Sequence, residues 1–421
     1  MDEYTLISFI GKSDYRLTQY QFPGDDATYE TSVFVTAILK SKYRTFKKVI
    51  LVGTFTSNWD FLVDKDKNAD FYQKLNNECN STGISEESKK ELESILEELY
   101  NIPFEIIDHV KKISSDTIED IFKRYKKIPE LLADNTHILL DITHALRSMP
   151  LLVYQSLQLN VNLQNIFDRK IQIIYGELKE KEISPVHDLS KYWEYYEISS
   201  AVKLFDEKLD GKLLAQKIEQ YWEDGAKFLF LLCEIVECNF SLRVHNAVKQ
   251  LKSVIDEYEK TESKNPDWVT DVKNKLKVIY EKLNVGANEK CRVAKTVWEY
   301  SKLLHDKKLY TQAIIAKQVA IETAMTEKID RTKIGDYEWF RSDKTNKSNK
   351  TPIELLKGIR DSYNELKPLE QLQETRNYIA HGGSISDQGH VILMANVEKT
   401  LNTADKAIQD FFTMLDGGKH A

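Results

Sequence analysis

Arg376, Asn377 and His381 stand within one short stretch, Arg376-Asn377-Tyr378-Ile379-Ala380-His381, near the end of a 421-residue chain. On a helix, a spacing of five sets Arg376 and His381 about 140° apart around the axis, so they flank a groove instead of stacking on one stripe. Asn377, four residues before His381, shares its face. An arginine that keeps its charge, beside an imidazole that titrates near neutrality, suits cleavage of a phosphodiester without metal. In RNA the ribose 2′-hydroxyl is an internal nucleophile, which leaves the protein to move protons and stabilise charge. His381 is the candidate general acid or base. Arg376 is the candidate partner for the phosphorane charge, through its planar fork of donors. Gly382-Gly383 follow at once and let the backbone turn away. The same spacing also arises by chance in helical proteins, so the motif needs support from the rest of the chain.

The bulk properties bound that support. The length predicts two or three domains. A hydrophobic fraction of 42% with 30% charged residues is that of a globular protein in water. No apolar run has the length of a membrane span, and the acidic start MDEYTLISF is unlike a signal peptide, so a cytoplasmic location with no membrane is expected. Cys79, Cys233, Cys238 and Cys291 lack paired metal spacing, and Cys233 and Cys238 lie on an apolar helical stretch. Buried thiols in a reducing compartment are expected, and no metal site. The net charge of −7 argues against a general nucleic-acid coat protein. Residues 286–421 hold 21 Lys+Arg against 19 Asp+Glu, while the remainder holds 38 against 47. That slight local bias fits a nuclease with few phosphate contacts without requiring one.

The first 190 residues alternate two kinds of segment. Apolar runs at Tyr4–Ile10, Lys48–Gly53, Phe104–Asp108, His137–Thr143 and Ile171–Tyr175 have the length and β-branched content of strands. Helical patterns lie between them, at about Thr31–Lys42, Ser85–Tyr100, Ser115–Leu132 and Pro150–Leu159, with Ser85 and Ser115 as N-caps. Continuous apolar strands alternating with helices predict a Rossmann-like domain with a mostly parallel sheet covered on both faces. Such sheets bind ligands at the carboxyl ends of their strands. Polar segments sit there: Gly11–Arg16, Gly53–Trp59, and Asp141–Ser148 with Pro150 in the next helical turn. Neither G-x-G-x-x-G nor a Walker A sequence occurs, which weakens NAD and nucleoside triphosphate readings. Thr143, His144 and Arg147 at a strand-to-helix turn suit phosphate or ribose, aided by backbone amides. The competing reading has these loops only capping helices. It is favoured for Thr143 and Ser148 taken alone, and evenly balanced for three polar strand ends together.

From Trp193 the strand signals stop. Residues 193–285 read as long amphipathic helices with a turn at Ser263–Pro266, and residues 286–421 continue as helices to the Arg376–His381 motif. Arg341–Thr351 is lysine-rich and poor in apolar residues, a loop better read as a solvated insertion than as a lip near RNA. The fold class expected is α/β plus all-α, a Rossmann-like N-terminal domain followed by a helical C-terminal one.

Taken together these segments resemble a known family. FIGKSDYRLTQY, VILVGT, DITHALRSMP and IIYGELKEKEISPVHDLS closely resemble CARF domains of CRISPR-associated proteins. RNYIAH resembles the catalytic motif of HEPN ribonuclease domains. The order of parts resembles the accessory ribonucleases of type III CRISPR systems, of Csx and Csm type, over essentially the whole chain. The resemblance implies a CARF domain at 1–192, a helical linker region at 193–285 and a HEPN domain at 286–421. It implies a homodimer whose CARF domains bind a cyclic oligoadenylate made by a type III CRISPR effector complex. Cyclic tetra-adenylate is the favoured activator and hexa-adenylate the second choice. Paired HEPN domains would bring two Arg376–His381 sets, with Asn377, to one single-stranded RNA. Cleavage needs no cofactor or metal and leaves a 2′,3′-cyclic phosphate and a 5′-hydroxyl. Carried over residue by residue, the ligand set is Lys12, Ser13, Thr143, His144 and Arg147, with Thr54, Thr56 and Ser57 as weaker members. Residues near Thr56, Ser57 or Thr143 are the ones placed to degrade the activator, as some CARF domains do. One departure stands out: His144 is followed by Ala145 where glycine is expected, which narrows backbone freedom in that turn. Two alternatives compete, a non-enzymatic CARF sensor or regulator and a HEPN toxin-like ribonuclease with a different ligand. Against the first stand the intact RNYIAH and the lack of a helix-turn-helix with a basic recognition helix in 193–421.

Overall fold

The computed structural model describes residues 3–12, 15–41, 43–109, 127–132, 137–144, 148–164, 171–179, 182–260, 265–286, 290–342, 344, 350–380 and 397–416. They divide into two compact units, Met1–Tyr196 and Glu197–Ala421.

In the first unit, strands β1 (Glu3–Ile10), β2 (Thr18–Gln21), β3 (Thr28–Thr31), β4 (Thr45–Thr54), β5 (Phe104–His109), β6 (His137–Asp141), β7 (Ile171–Gly176) and β8 (Ser184–Asp188) form one sheet in the order β3-β2-β8-β7-β6-β1-β4-β5. The five long apolar runs become β1, β4, β5, β6 and β7, all parallel. Every residue of β1 from Tyr4 to Ile10 is buried, as a strand covered on both faces must be. The strand period of two divides its side chains. Leu6 and Ile10, with Val49 and Leu51 of β4, pack on helices Phe34–Lys40, Ala69–Asn80 and Glu86–Tyr100 through Phe34, Leu75 and Leu92. Ile7 and Phe9, with Ile50 and Val52, pack on helix Ser148–Gln164 and Trp193 through Met149, Val153 and Leu157.

The expected mostly parallel sheet is therefore present, but it is mixed. β8 runs antiparallel to β7, and β2 and β3 form an antiparallel pair beyond it. These strands are four or five residues long and carry polar or proline-containing sequences, TQYQ, TYET and SPVHD, which lack the apolar runs of central strands. Helix Ala69–Asn80 also went unread, while the Ser85 cap is present, its hydroxyl accepting from Ser88 N at 3.2 Å. The helix expected at 115–132 lies largely outside the described residues, which include only Lys127–Glu130 of it in helical form.

The second unit is all helical among its described residues and has one hydrophobic core, running from Ala201 to Leu415. Residues 197–285 and 286–415 thus share a core. At its centre lies helix Tyr310–Ile329, buried over most of its length, with Ala313, Ala316, Ala320 and Ala324 letting neighbouring helices approach closely. Its Lys317 is wholly buried and pairs with Asp405 of helix Val397–Leu415; Trp298 Nε1 donates to the same carboxylate at 2.9 Å. A buried ammonium persists only when so matched. The expected turn at Ser263–Pro266 and the loop at Arg341–Thr351 lie largely outside the described residues. Thr351 is described, and it caps helix Pro352–Ser362 with a reciprocal Glu354 bond. No described helix is long and apolar enough to cross a membrane.

Candidate functional site

β1 is the pivot of the first unit. The chain passes to β4 on one side of it and returns as β6 on the other, the topological switch point at which open α/β sheets bind ligands. Register makes the convergence concrete: Ile10 lies beside Gly53, and Ile7 beside Leu140. The segments after Ile10, Gly53 and Asp141 therefore leave the sheet at one edge.

Several residues expected to touch a ligand tie these loops together. Ser57 is wholly buried; its hydroxyl donates to Ile10 O at 2.6 Å and accepts from Thr54 N at 2.7 Å, with Thr54 Oγ1 3.0 Å away. Thr143 Oγ1 accepts from Gly176 N at 2.9 Å, linking β6 to β7. Asn58 N donates to Gly11 O at 3.0 Å. A Cβ on Gly11 would lie 2.5 Å from the carbonyl oxygen of His144, so only glycine permits this approach of the two loops.

Lys12, Thr56 and His144 are the other candidates among the described residues. Lys12 is exposed, and its Nζ donates to Cys79 O, near the C-terminal end of a helix, at 3.2 Å. Thr56 is half-buried. The His144 ring packs edge-on against Tyr15, with centroids 4.6 Å apart. Its Nε2 is buried without a partner among the described residues, and burial lowers its pKa to about 4, so the ring is neutral at pH 7. Ser13 and Arg147 lie outside the described residues, as does Ala145.

Three further residues build this edge and were not singled out from sequence. Asp141 is fully buried, accepting from Ser8 Oγ at 2.5 Å and from Thr143 N at 2.8 Å. Burial pushes its carboxyl up to about 6, against the downward pull of those hydrogen bonds. Tyr15 OH accepts from Gly11 N at 2.8 Å, and burial raises its pKa. An aspartate closing an apolar strand was a legible signal for Asp141; nothing local marked Ser8 or Tyr15.

In the second unit, helix Pro368–Ala380 carries Arg376 and Asn377. Leu369, Leu372 and Thr375 form its buried stripe. At 100° per residue, Arg376 falls within that stripe, one turn on from Leu372, and Asn377 about 80° beyond its edge at Leu369, which matches a half-buried arginine and an exposed asparagine. Arg376 Nη1 donates to Asn377 Oδ1 at 3.0 Å. Arg360 Nη1 donates to Gln373 Oε1 at 3.0 Å, bracing this helix against Pro352–Ser362. Glu322, on the central helix, is a residue that sequence did not suggest. Burial raises its pKa, while a bond from Gln318 at 2.9 Å and the charges of Arg376 and Arg341 oppose the rise. His381, Gly382 and Gly383 lie outside the described residues.

The chain is thus a two-part protein, a Rossmann-like unit whose strand-end loops converge at its switch point and a unit, helical among its described residues, bearing a partly exposed arginine–asparagine pair. Residues 5–178 match the family model of the CARF domain of the CRISPR system endoribonuclease Csx1, so the first unit is a domain of CARF type. A CRISPR-associated protein of Methanocaldococcus jannaschii is 26% identical over 275 residues, covering 60% of this chain. The chain spans 42% of that relative's length. Among solved structures, Enterococcus italicus Csm6 bound to cyclic hexa-2′-fluoro-hexa-dAMP aligns over 98% of this chain and 97% of its own, at 13% identity and a TM-score of 0.38.

Proposed function

We propose that this chain is a cyclic-oligoadenylate-activated, metal-independent endoribonuclease of type III CRISPR defence, working as a homodimer on single-stranded RNA. One observation carries the reading: the chain that matches a CARF-domain model carries a half-buried Arg376 hydrogen-bonded to an exposed Asn377 on one helix, with His381 next after that helix in sequence.

Lys12, Thr56 and His144 would hold the activator at the switch point, with Ser13, Thr54 and Arg147 beside them and Ser57 and Thr143 shaping the loops. The donor set fits a nucleotide. An ammonium suits phosphate, and a threonine hydroxyl suits a ribose hydroxyl or adenine edge. In the helical unit, two copies of Arg376, Asn377 and His381 would meet on one phosphodiester. Histidines on opposite sides of the phosphate divide the acid and base roles, taking the proton from the 2′-hydroxyl and supplying one to the leaving 5′-oxygen. Arg376 stabilises the phosphorane and Asn377 orients its guanidinium. The products carry a 2′,3′-cyclic phosphate and a 5′-hydroxyl. Activation requires that the ligand bind the active dimer more tightly than the resting one.

The test is cleavage of a fluorogenic single-stranded RNA in EDTA with each cyclic oligoadenylate in turn, cyclic tetra-adenylate being the expected activator. Cleavage that is equally fast with and without every ring size would sink the activation claim.

A further inference from the structure

The helical unit contains a concave basic site away from any residue assigned above. Helices Val244–Tyr258, Asp267–Leu283 and Arg292–Asp306 and the segment after Leu283 enclose a cavity of about 150 Å³. Lys249, Lys252, Arg292 and His245 line it over an apolar floor that includes Val248 and Leu283, and no aspartate or glutamate is among its described lining residues. Elsewhere in this unit lysines face carboxylates, as in Lys212–Glu237, Lys275–Asp206 and Lys282–Asp306. Lys249 and Lys252 make no such ion pair among the described residues.

The groups also converge. Arg292 Nε donates to Val285 O at 3.0 Å, which fixes the guanidinium plane and leaves its two terminal nitrogens for an acceptor. His245 Nδ1 lies 3.3 Å from Thr296 Oγ1, which orients the ring. Burial lowers the His245 pKa, and the charges of Lys249 and Arg292 lower it further, so both cations act on one point. The first amides of helix Arg292–Asp306 are already satisfied: Val293 N and Ala294 N donate to the carboxylate of Glu327 at 3.3 and 2.9 Å. The basic character of the cavity is therefore a property of its side chains.

We propose that this cavity binds a phosphate group, held by the Arg292 fork and Lys249 with Lys252 at the rim. Pockets for organic ligands usually measure about 300–1,000 Å³, so a smaller one suits the phosphate without its nucleoside. The phosphate then comes either free in solution or from RNA whose remaining residues lie outside over the exposed lysines.

Isothermal titration of the full-length protein with sodium phosphate, against sodium chloride at equal ionic strength, tests this, with the K249Q/K252Q variant in parallel. Both lysines are exposed, so the variant should fold as wild type, which circular dichroism checks. Phosphate should bind the wild type, and the variant should bind about tenfold or more weakly, as expected when charged hydrogen bonds are lost. A second arm compares short RNAs with 5′-phosphate and 5′-hydroxyl ends. A preference for the phosphorylated end that disappears in K249Q/K252Q assigns the site to RNA, and binding of inorganic phosphate alone assigns it to a free anion; both support the proposal. Absence of phosphate binding beyond chloride, or equal phosphate affinity in wild type and variant, overturns it. No cleavage is measured, so the outcome is independent of the ribonuclease reading.

Discussion

Arg376 owes its exposure to its neighbour. Arg376 itself lies on the packed stripe, one turn on from Leu372, so its aliphatic stem is covered while its guanidinium reaches out to the exposed Asn377, toward solvent and phosphate. Arg376→Ala should lower RNA cleavage by about 10²- to 10³-fold, the scale of one lost transition-state donor. Because Arg376 is half-buried and its charge favours the Glu322 carboxylate, the variant should also be less stable by about 1 kcal/mol in thermal unfolding. A variant that cleaves at full rate would remove Arg376 from the site. At the switch point, Asp141 and His144 titrate in opposite senses. The folded pKa of Asp141 is raised from 3.8 to about 6, so its contribution to stability is complete at low pH and is lost as pH rises through that window. That of His144 is lowered from 6.5 to about 4, so its contribution is complete above neutrality and is lost as pH falls. Urea unfolding across pH 4 to 7 should therefore show His144→Gln losing less stability on acidification than wild type, by up to about 3 kcal/mol. Asp141→Asn should gain on wild type as pH rises from about 4 to about 6. An unchanged pH profile in both variants would contradict these environments.

The loops that build the switch point act through close approach more than through hydrogen-bonding capacity. Gly11 lets the end of β1 pass the His144 carbonyl, and an added methyl has backbone to displace. Gly11→Ala should cost about 1–3 kcal/mol, the usual scale of overpacking. It should also weaken binding of the cyclic activator, read by titration. Ser85→Ala, which removes the cap of Glu86–Tyr100, should cost about 1 kcal/mol in denaturant unfolding and leave activator binding unchanged. The cap was legible because its donor, Ser88 N, lies three residues away. Strand β2 was not, because its parallel partner is β8, 164 residues on at the Tyr20–Ser184 pair. A four-residue polar segment becomes a strand only when the sheet edge that receives it exists.

Across the whole molecule, the proposed function joins a ligand-sensing unit to a catalytic one whose site is complete only with a second copy of the chain. The rate per protomer should then rise with protein concentration and reach a plateau on saturation of the dimer, measured as initial RNA cleavage rate with activator in excess. A rate per protomer that is constant down to concentrations where light scattering shows only monomer would contradict the composite site. The activator should also raise the melting temperature by mass action.

Much of this protein was determined locally. The five long parallel strands, helix Glu86–Tyr100 with its Ser85 cap and the arginine–asparagine step before His381 follow from apolar periodicity, capping chemistry and residue type, which act over a few positions. Tertiary structure alone decided the use of each polar group. Ser57 and Thr143 belong to types that bind nucleotides, yet Ser57 Oγ is bound to Ile10 and Thr143 Oγ1 to Gly176, residues 47 and 33 positions away. Asp141, Glu322 and the cavity at Arg292 likewise took their character from neighbours distant in the chain. A side chain's hydrogen-bonding capacity is written in its type; whether folding spends that capacity internally depends on which backbone groups arrive beside it.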